Sequence, residues 1–106
     1  MSALFMLAKL KAKAGSESAM EKELKALVEA THSEPGCLLY ALHRDSNDFS
    51  QFVVIERFLS KEALDSHYAS PHFSKHFSSI SPLLASEPEI IHLSSVGEGK
   101  KGQLFE

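Results

Sequence analysis

Three histidines, one tyrosine and two phenylalanines fall within the fourteen residues LDSHYASPHFSKHF, residues 64–77. Imidazole exchanges protons near neutral pH, so histidines beside aromatic residues are candidates for acid–base catalysis. His67 would project from one short helix and His72 from the first turn of the next. A helix N-terminus disfavours a positively charged ring, which would leave His72 able to accept a proton. Alternatively, both are ordinary polar residues of helix surfaces.

A glutamate occupies a second unusual position. Glu56 alternates with Val54 and Phe58 in QFVVIERF, so its carboxylate would point to the apolar face of a strand. A buried carboxylate needs a partner or has a raised pKa. If CLLYALHR pairs with this segment in a hairpin centred on Asp48, Tyr40 lies opposite Glu56. The pair is then either a structural hydrogen bond or part of an active site, and the strand pattern favours neither.

The histidine spacing does not predict a metal site. His72 and His76 could share a helix face, but HFSKH lacks the HExxH pattern, and no nearby carboxylate or cysteine completes a recognisable ligand set. The sequence also lacks GxGxxG, P-loop, GxSxG and CxxC motifs. We therefore expect neither a metal nor an organic cofactor.

Hydrophobic periodicity predicts four strands. Residues 3–13 alternate, residues 37–44 and 51–58 flank the turn-forming stretch DSNDFS, and EIIHLSSV follows Pro88 as the last strand. Together with the helices, the order β-α-β-β-α-β predicts an α+β fold of the ferredoxin-like kind, with four antiparallel strands backed by helices. Both hairpin strands carry apolar residues on both faces, and the helices can cover only one face. The other face is expected to meet a second subunit in a homodimer.

Serine residues mark the predicted helix starts. Ser18 followed by Glu21 has the spacing of a capping box before a helix of about 15 residues that SEPG ends. Ser60 would cap a second, short helix. The pair Ser70-Pro71 would cap a third and change the direction of the chain.

Composition limits the class of protein. The 106 residues, 43% hydrophobic and 24% charged, predict one globular domain over residues 1–97 and a flexible tail over residues 98–106. A net charge of −3 gives no basic surface for nucleic acid. The first residues resemble neither a secretory signal nor a membrane span, and lone Cys37 agrees with a reducing compartment. We expect a cytoplasmic protein.

The blocks EPGCLLYALHRD, FVVIERF and ALDSHYASPHF together resemble the antibiotic biosynthesis monooxygenase (ABM) family, and in particular its small quinol-monooxygenase-like members. The likeness covers about residues 3–96, with the blocks in the family's order and spacing. It implies a dimeric α+β barrel of ferredoxin-like subunits, each with a pocket between sheet and helices. It also implies oxygenation of an electron-rich quinol or polycyclic phenol by O₂ without metal, flavin or haem.

The resemblance also implies roles for individual residues. His67 or His72 would be the base that takes a phenol proton, and Glu56 would fix a histidine tautomer. The substrate would be lined by four further residues: Tyr40, His43, Phe58 and Phe73. Phe58 stands where family members commonly carry tryptophan. The chain has no tryptophan, so haem degradation is not expected.

Two other functions stay open on the same fold. Some relatives with similar histidine and glutamate blocks are isomerases of small phosphorylated ketoses, for which Arg44 or Arg57 would have to bind the phosphate. By alternation, however, Arg57 faces away from Glu56. A non-catalytic dimeric module that binds a small ligand is the third possibility, since fold alone does not establish function.

Overall fold

The computed structural model describes residues 3–97 and residue 100. The elements follow the predicted order: β1 (Leu4–Lys11), α1 (Glu17–Thr31), β2 (Cys37–Arg44), β3 (Gln51–Phe58), α2 (Lys61–Ala69), α3 (Pro71–Ile80), a 3-10 turn (Ser81–Leu83) and β4 (Glu89–Leu93). The four strands form one antiparallel sheet in the order β2-β3-β1-β4. The α+β class and the ferredoxin-like arrangement are thus confirmed. The tail predicted for residues 98–106 lies, apart from Lys100, outside the described residues.

The hairpin register places the predicted pair of site residues side by side. Tyr40 on β2 pairs with Glu56 on β3, and Met6 on β1 pairs with Glu56 from the other side. The side-chain period of a strand is two, so this register turns Glu56 to the same face as Phe52, Val54 and Phe58. That face is buried, which confirms the predicted apolar environment.

Two of the three predicted helix starts are confirmed. The Ser60 hydroxyl accepts a hydrogen bond from the Ala63 N–H at 3.1 Å, and the Ser70 hydroxyl accepts one from the Phe73 N–H at 3.2 Å. The capping box at Ser18 is wrong, because α1 begins at Glu17 and Ser18 lies within its first turn. There the Glu17 carboxylate accepts from the Gly15 N–H at 2.9 Å, and Gly15 adopts a φ of +88° that favours glycine.

One core lies between the sheet and the helices. Apolar side chains of the inner sheet face pack against α1, α2 and α3, and their burial is the main stabilising contribution. The largest fully buried apolar members are Phe52, Phe58, Met6, Met20, Leu24, Ile80 and Val54. The outer sheet face has no such cover in the described part of the chain, although it carries Leu7, Val53 and Ile55. Across the described residues, every helix falls short of the length and apolarity that a membrane crossing requires.

Candidate active site

His67 lies at the centre of an aromatic cage on the inner face of the sheet. Its side chain is 1% exposed, and its ring centroid lies 5.0–5.3 Å from the centroids of four aromatic rings: Tyr40, Phe58, Tyr68 and Phe73. Burial lowers the pKa of His67, because a charged ring loses its hydration there, while a neighbouring carboxylate, Glu34, acts in the opposite direction. A neutral imidazole in a water-poor surrounding is thereby available to accept a proton.

The carboxylate beside His67 belongs to Glu34, a residue that the sequence analysis missed. Glu34 Oε2 lies 2.8 Å from His67 Nδ1 and 2.5 Å from His72 Nε2. A carboxylate only accepts hydrogen bonds, so each of these ring nitrogens must carry the shared proton. In a neutral His67 ring, Nε2 is then the unprotonated nitrogen. Glu34 therefore has the role of fixing the tautomer that the sequence analysis expected Glu56 to have.

The turn between α1 and β2 holds Glu34 in place. The Glu34 N–H donates to the Thr31 carbonyl at 3.0 Å, and the Cys37 N–H donates to the Glu34 carbonyl at 3.1 Å. Gly36 permits this turn to lie against α2, because a Cβ on Gly36 would come within 2.4 Å of the Ala63 Cβ. Glu34 is 33 residues from His67 and 38 from His72, so no local spacing motif could have found it. In the sequence, only the Pro35-Gly36 pair that follows Glu34 indicates that the chain turns at this point.

Glu56 and Tyr40 are buried next to this cluster. Glu56 is 4% exposed, and its Oε1 atom is buried without a hydrogen-bond partner among the described residues. Burial, followed by the nearby Glu34 charge, raises the pKa of Glu56 to about 8, so its carboxyl group is largely protonated at neutral pH. Burial and then the Glu56 charge also raise the pKa of Tyr40, which keeps its phenol neutral.

These groups surround a small hollow that continues into an open groove. The hollow has a volume of about 50 Å³ and is lined by Tyr40, Glu56 and His67 together with apolar side chains. The groove has a volume of about 810 Å³. Five residues line both spaces: Tyr68, Phe73, Phe77, Pro88 and Ile90. Two of these five residues, Phe73 and Phe77, stack their rings with 5.4 Å between the centroids and 7° between the planes.

The structure brings most of the predicted site residues together. Tyr40, Glu56, His67 and Phe73 line the hollow. Phe58 is fully buried behind His67, with its ring centroid 5.0 Å from the imidazole. His72 is 24% exposed and reaches the cluster through Glu34. His43 is not among the residues around the hollow.

Three of the histidines outside the hollow have local contacts. His43 pairs with Val53 on the outer sheet face, and its Nδ1 lies 3.1 Å from the Ala41 carbonyl oxygen. His76 has its Nδ1 3.2 Å from Glu23 Oε2 and links α3 to α1, a contact that was not predicted from the sequence. His32 Nε2 lies 2.9 Å from the Tyr40 carbonyl oxygen.

Comparisons with known proteins identify the family of the chain. The family model described as antibiotic biosynthesis monooxygenase matches residues 3–78, which is well over half of the chain. The chain belongs to the antibiotic biosynthesis monooxygenase family. As an ABM protein it is 30% identical over 93 residues to the Mycobacterium tuberculosis protein named "Putative monooxygenase Rv0793", covering 88% of this chain and 91% of that one. These findings support a monooxygenase-like function.

Two solved structures share the fold over nearly the whole chain. The structure of Rv0793 has a TM-score of 0.85 at 27% identity and covers 93% of this chain and 100% of that one. The crystal structure of PA3566 from Pseudomonas aeruginosa has a TM-score of 0.85 at 33% identity and covers 92% and 97% of the two chains. A Synechocystis protein, sll1783, is 31% identical over 74 residues, 70% of this chain. This chain matches only 50% of the length of that relative.

Proposed function

We propose that this ABM protein is a cofactor-independent monooxygenase that oxidises a quinol or polycyclic phenol with O₂. The observation that carries the proposal is an aromatic groove that ends at a buried imidazole and a buried carboxyl group. The groove would hold the ring system of the substrate against Phe73 and Phe77. The hollow would receive only the reacting edge of the ring, next to Glu56 and His67.

His67 would act as the base in the first step. Its Nδ1 proton is engaged by Glu34, so Nε2 is the nitrogen left to accept the substrate proton. The resulting imidazolium forms beside the Glu34 carboxylate, which stabilises the new positive charge. His72 also donates to Glu34 and holds that carboxylate in place. This assigns the base to His67 and a positioning role to His72.

The deprotonated substrate would then react with O₂ directly. One electron passes from the electron-rich anion to O₂, and the two radicals join at a ring carbon that carries one hydrogen to give a peroxide anion. Cleavage of the O–O bond, with loss of that hydrogen to the departing oxygen, leaves a carbonyl on the carbon and releases hydroxide. The phenolic O–H and the ring C–H supply the two hydrogens of the water that forms, and the substrate supplies all four electrons, so the balance needs no further reductant. Glu56, protonated near neutral pH, would give its proton to the departing oxygen and recover one from His67.

The lining of the site favours a neutral aromatic substrate over a phosphorylated ketose. Within the described residues, neither the groove nor the hollow is lined by a lysine or an arginine. Arg44 is bound to Glu21 at 2.7 Å and lies over the rings of Phe49 and Phe52. Arg57 lies on the outer face of the sheet, opposite to Glu56. A phosphate in the hollow would meet no lysine or arginine among the described residues.

The outer sheet face supports the homodimer expected from the sequence. Its apolar side chains would be covered by the same face of a second copy, which gives a barrel of two sheets. They are Phe5, Leu7, Leu39, Ala41, Val53, Ile55, Ile91 and Leu93. The cytoplasmic location and the division into a domain over residues 1–97 and a tail stay predictions.

Oxygen uptake tests the proposed reaction. A panel of quinols and polycyclic phenols is screened with an oxygen electrode, and the best substrate is repeated under nitrogen. We expect His67→Gln to lower kcat about 10²- to 10⁴-fold, the usual contribution of a general base. The control His76→Gln, whose histidine contacts Glu23 outside the site, should retain wild-type uptake. Turnover under nitrogen would point to isomerisation, and ligand binding without any turnover would point to a binding module. Full uptake by His67→Gln would refute the assignment of the base.

A further inference from the structure

We propose that Glu34, His67 and His72 form a binding site for one divalent transition-metal ion of the zinc type. One ligand atom from each residue, a carboxylate oxygen and two imidazole nitrogens, lies within 4.8 Å of the other two. No metal was expected from the sequence, because no carboxylate close to His72 in the chain completes a recognisable ligand set. The tertiary structure supplies that carboxylate from the turn before β2. Two histidines and one glutamate are an established ligand set for zinc.

The site needs only a small adjustment to take an ion. Two ligands of a tetrahedral ion, each about 2.0–2.1 Å from the metal, lie roughly 3.4 Å apart. Glu34 Oε2 now lies 2.8 Å from His67 Nδ1 and 2.5 Å from His72 Nε2, because protons occupy the space between them. A retreat of the Glu34 side chain by less than about 1 Å opens these two distances, and the two imidazole nitrogens, which lie within 4.8 Å of each other, would close on the ion. Only the Glu34 side chain has to move, and the backbone turn that holds the residue keeps its hydrogen bonds.

Burial and ligand type favour particular ions. The site is shielded on the side of His67, which is 1% exposed, and open on the side of His72, which is 24% exposed. An ion would enter past His72 and keep a water at its fourth position. Imidazole suits Zn²⁺, Co²⁺, Ni²⁺ and Cu²⁺, whereas Mg²⁺ and Ca²⁺ require mainly oxygen ligands. We therefore infer a site that discriminates against the alkaline-earth ions.

Metal binding would also regulate the proposed reaction. An ion bound to His67 Nδ1 takes the lone pair of that nitrogen, so the ring proton of the neutral imidazole moves to Nε2. His67 Nε2, the nitrogen that would accept the substrate proton, then carries a proton itself. It can only donate, so His67 no longer acts as a base. Metal binding itself does not depend on the proposed function, whereas this inhibition rests on it.

Cobalt provides a direct test of the site. Untagged protein is freed of metal with a chelator, and Co²⁺ is added at pH 7.5 while the visible d–d absorption is recorded. We expect a band that saturates at one Co²⁺ per chain, disappears when Zn²⁺ is added and is unaffected by excess Mg²⁺. Glu34→Gln and His72→Ala should each weaken Co²⁺ binding at least tenfold. The matched control His76→Ala should bind Co²⁺ as the wild type does.

A measurement on the wild-type protein covers the case in which a variant fails to fold. Side-chain nitrogen signals of ¹⁵N-labelled histidines are followed while Zn²⁺ is added. The signals of His67 and His72 should shift together and stop at one equivalent, while those of His43 and His92 stay unchanged. Any of three results would overturn the proposed metal site. They are the absence of a Co²⁺ band, Co²⁺ binding by both ligand variants as tight as that of the wild type, and Zn²⁺-induced shifts confined to other histidines.

Oxygen uptake with and without Zn²⁺ separates the two proposals. Loss of uptake at one equivalent of Zn²⁺ supports a blocked His67. A saturated metal site with unchanged uptake would leave the metal site standing and refute His67 as the base. Uptake without any metal binding would refute the metal site alone.

Discussion

The buried carboxyl group of Glu56 should make the stability of this protein fall as the pH rises. Its pKa is raised from an ordinary value of 4.5 to about 8 in the folded chain. Between these two values the folded chain holds a proton that the unfolded chain has released. The free energy of unfolding then decreases by about 1.4 kcal/mol for each pH unit. This contribution is fully present below pH 4.5 and is lost as the pH passes about 8, a total of about 5 kcal/mol.

The substitution Glu56→Gln isolates this contribution. Glutamine has nearly the same shape and no charge at any pH in the window, so the wild type should lose stability relative to the variant as the pH rises. From pH 5.5 to 7.5 we expect the difference in unfolding free energy to change by about 3 kcal/mol in favour of the variant. The decisive quantity is how this difference changes with pH, because burial of the glutamine amide shifts the unfolding free energy of the variant by the same amount at every pH. Neighbouring groups such as His67 titrate in both proteins, so their contributions to the difference in unfolding free energy largely cancel.

Urea unfolding at fixed protein concentration measures the effect. Wild type, Glu56→Gln and the control Glu89→Gln are unfolded at half-unit steps from pH 5.5 to 7.5. Glu89 lies on β4 and is exposed, so its variant should follow the pH dependence of the wild type. A difference between wild type and Glu56→Gln that stays constant with pH would show that Glu56 is charged and solvated in the folded protein. That result would remove the protonated acid from the proposed mechanism.

Two further predictions concern the turn and the outer sheet face. Gly36→Ala should lower the free energy of unfolding in urea by about 1–3 kcal/mol, because the new Cβ would lie 2.4 Å from the Ala63 Cβ. Adding Ala63→Gly should recover most of the lost stability. Unchanged stability of Gly36→Ala would show that the turn can move. Ile55→Asp on the outer face should convert the proposed dimer to monomers in light scattering, whereas Ser79→Asp on the exposed side of α3 should not. A monomeric wild type would refute the proposed dimer.

The sequence was sufficient for the features that depend on local pattern. Alternating apolar residues, the hydroxyl caps at Ser60 and Ser70, and the turn-forming stretch around Asp48 are short-range signals. They predicted the order of the elements, and a hairpin centred on Asp48 predicted the pairing of Tyr40 with Glu56, because a slip of one residue would turn the apolar side chains to the other face. The capping box failed for a related reason, since the chain offers two serines near the start of α1, Ser16 and Ser18, and local spacing does not decide between them.

The sequence by itself determined the strands, the helix positions and the apolar surroundings of Glu56, because these follow from residues close together in the chain. Only the tertiary structure decided which carboxylate contacts which histidine. Glu34 meets His67 and His72 across 33 and 38 residues because the turn that Gly36 allows is packed against α2. The same packing places His43 on the outer face of the sheet, away from the hollow. Contacts of this kind depend on how whole elements pack, and no spacing within one segment records them.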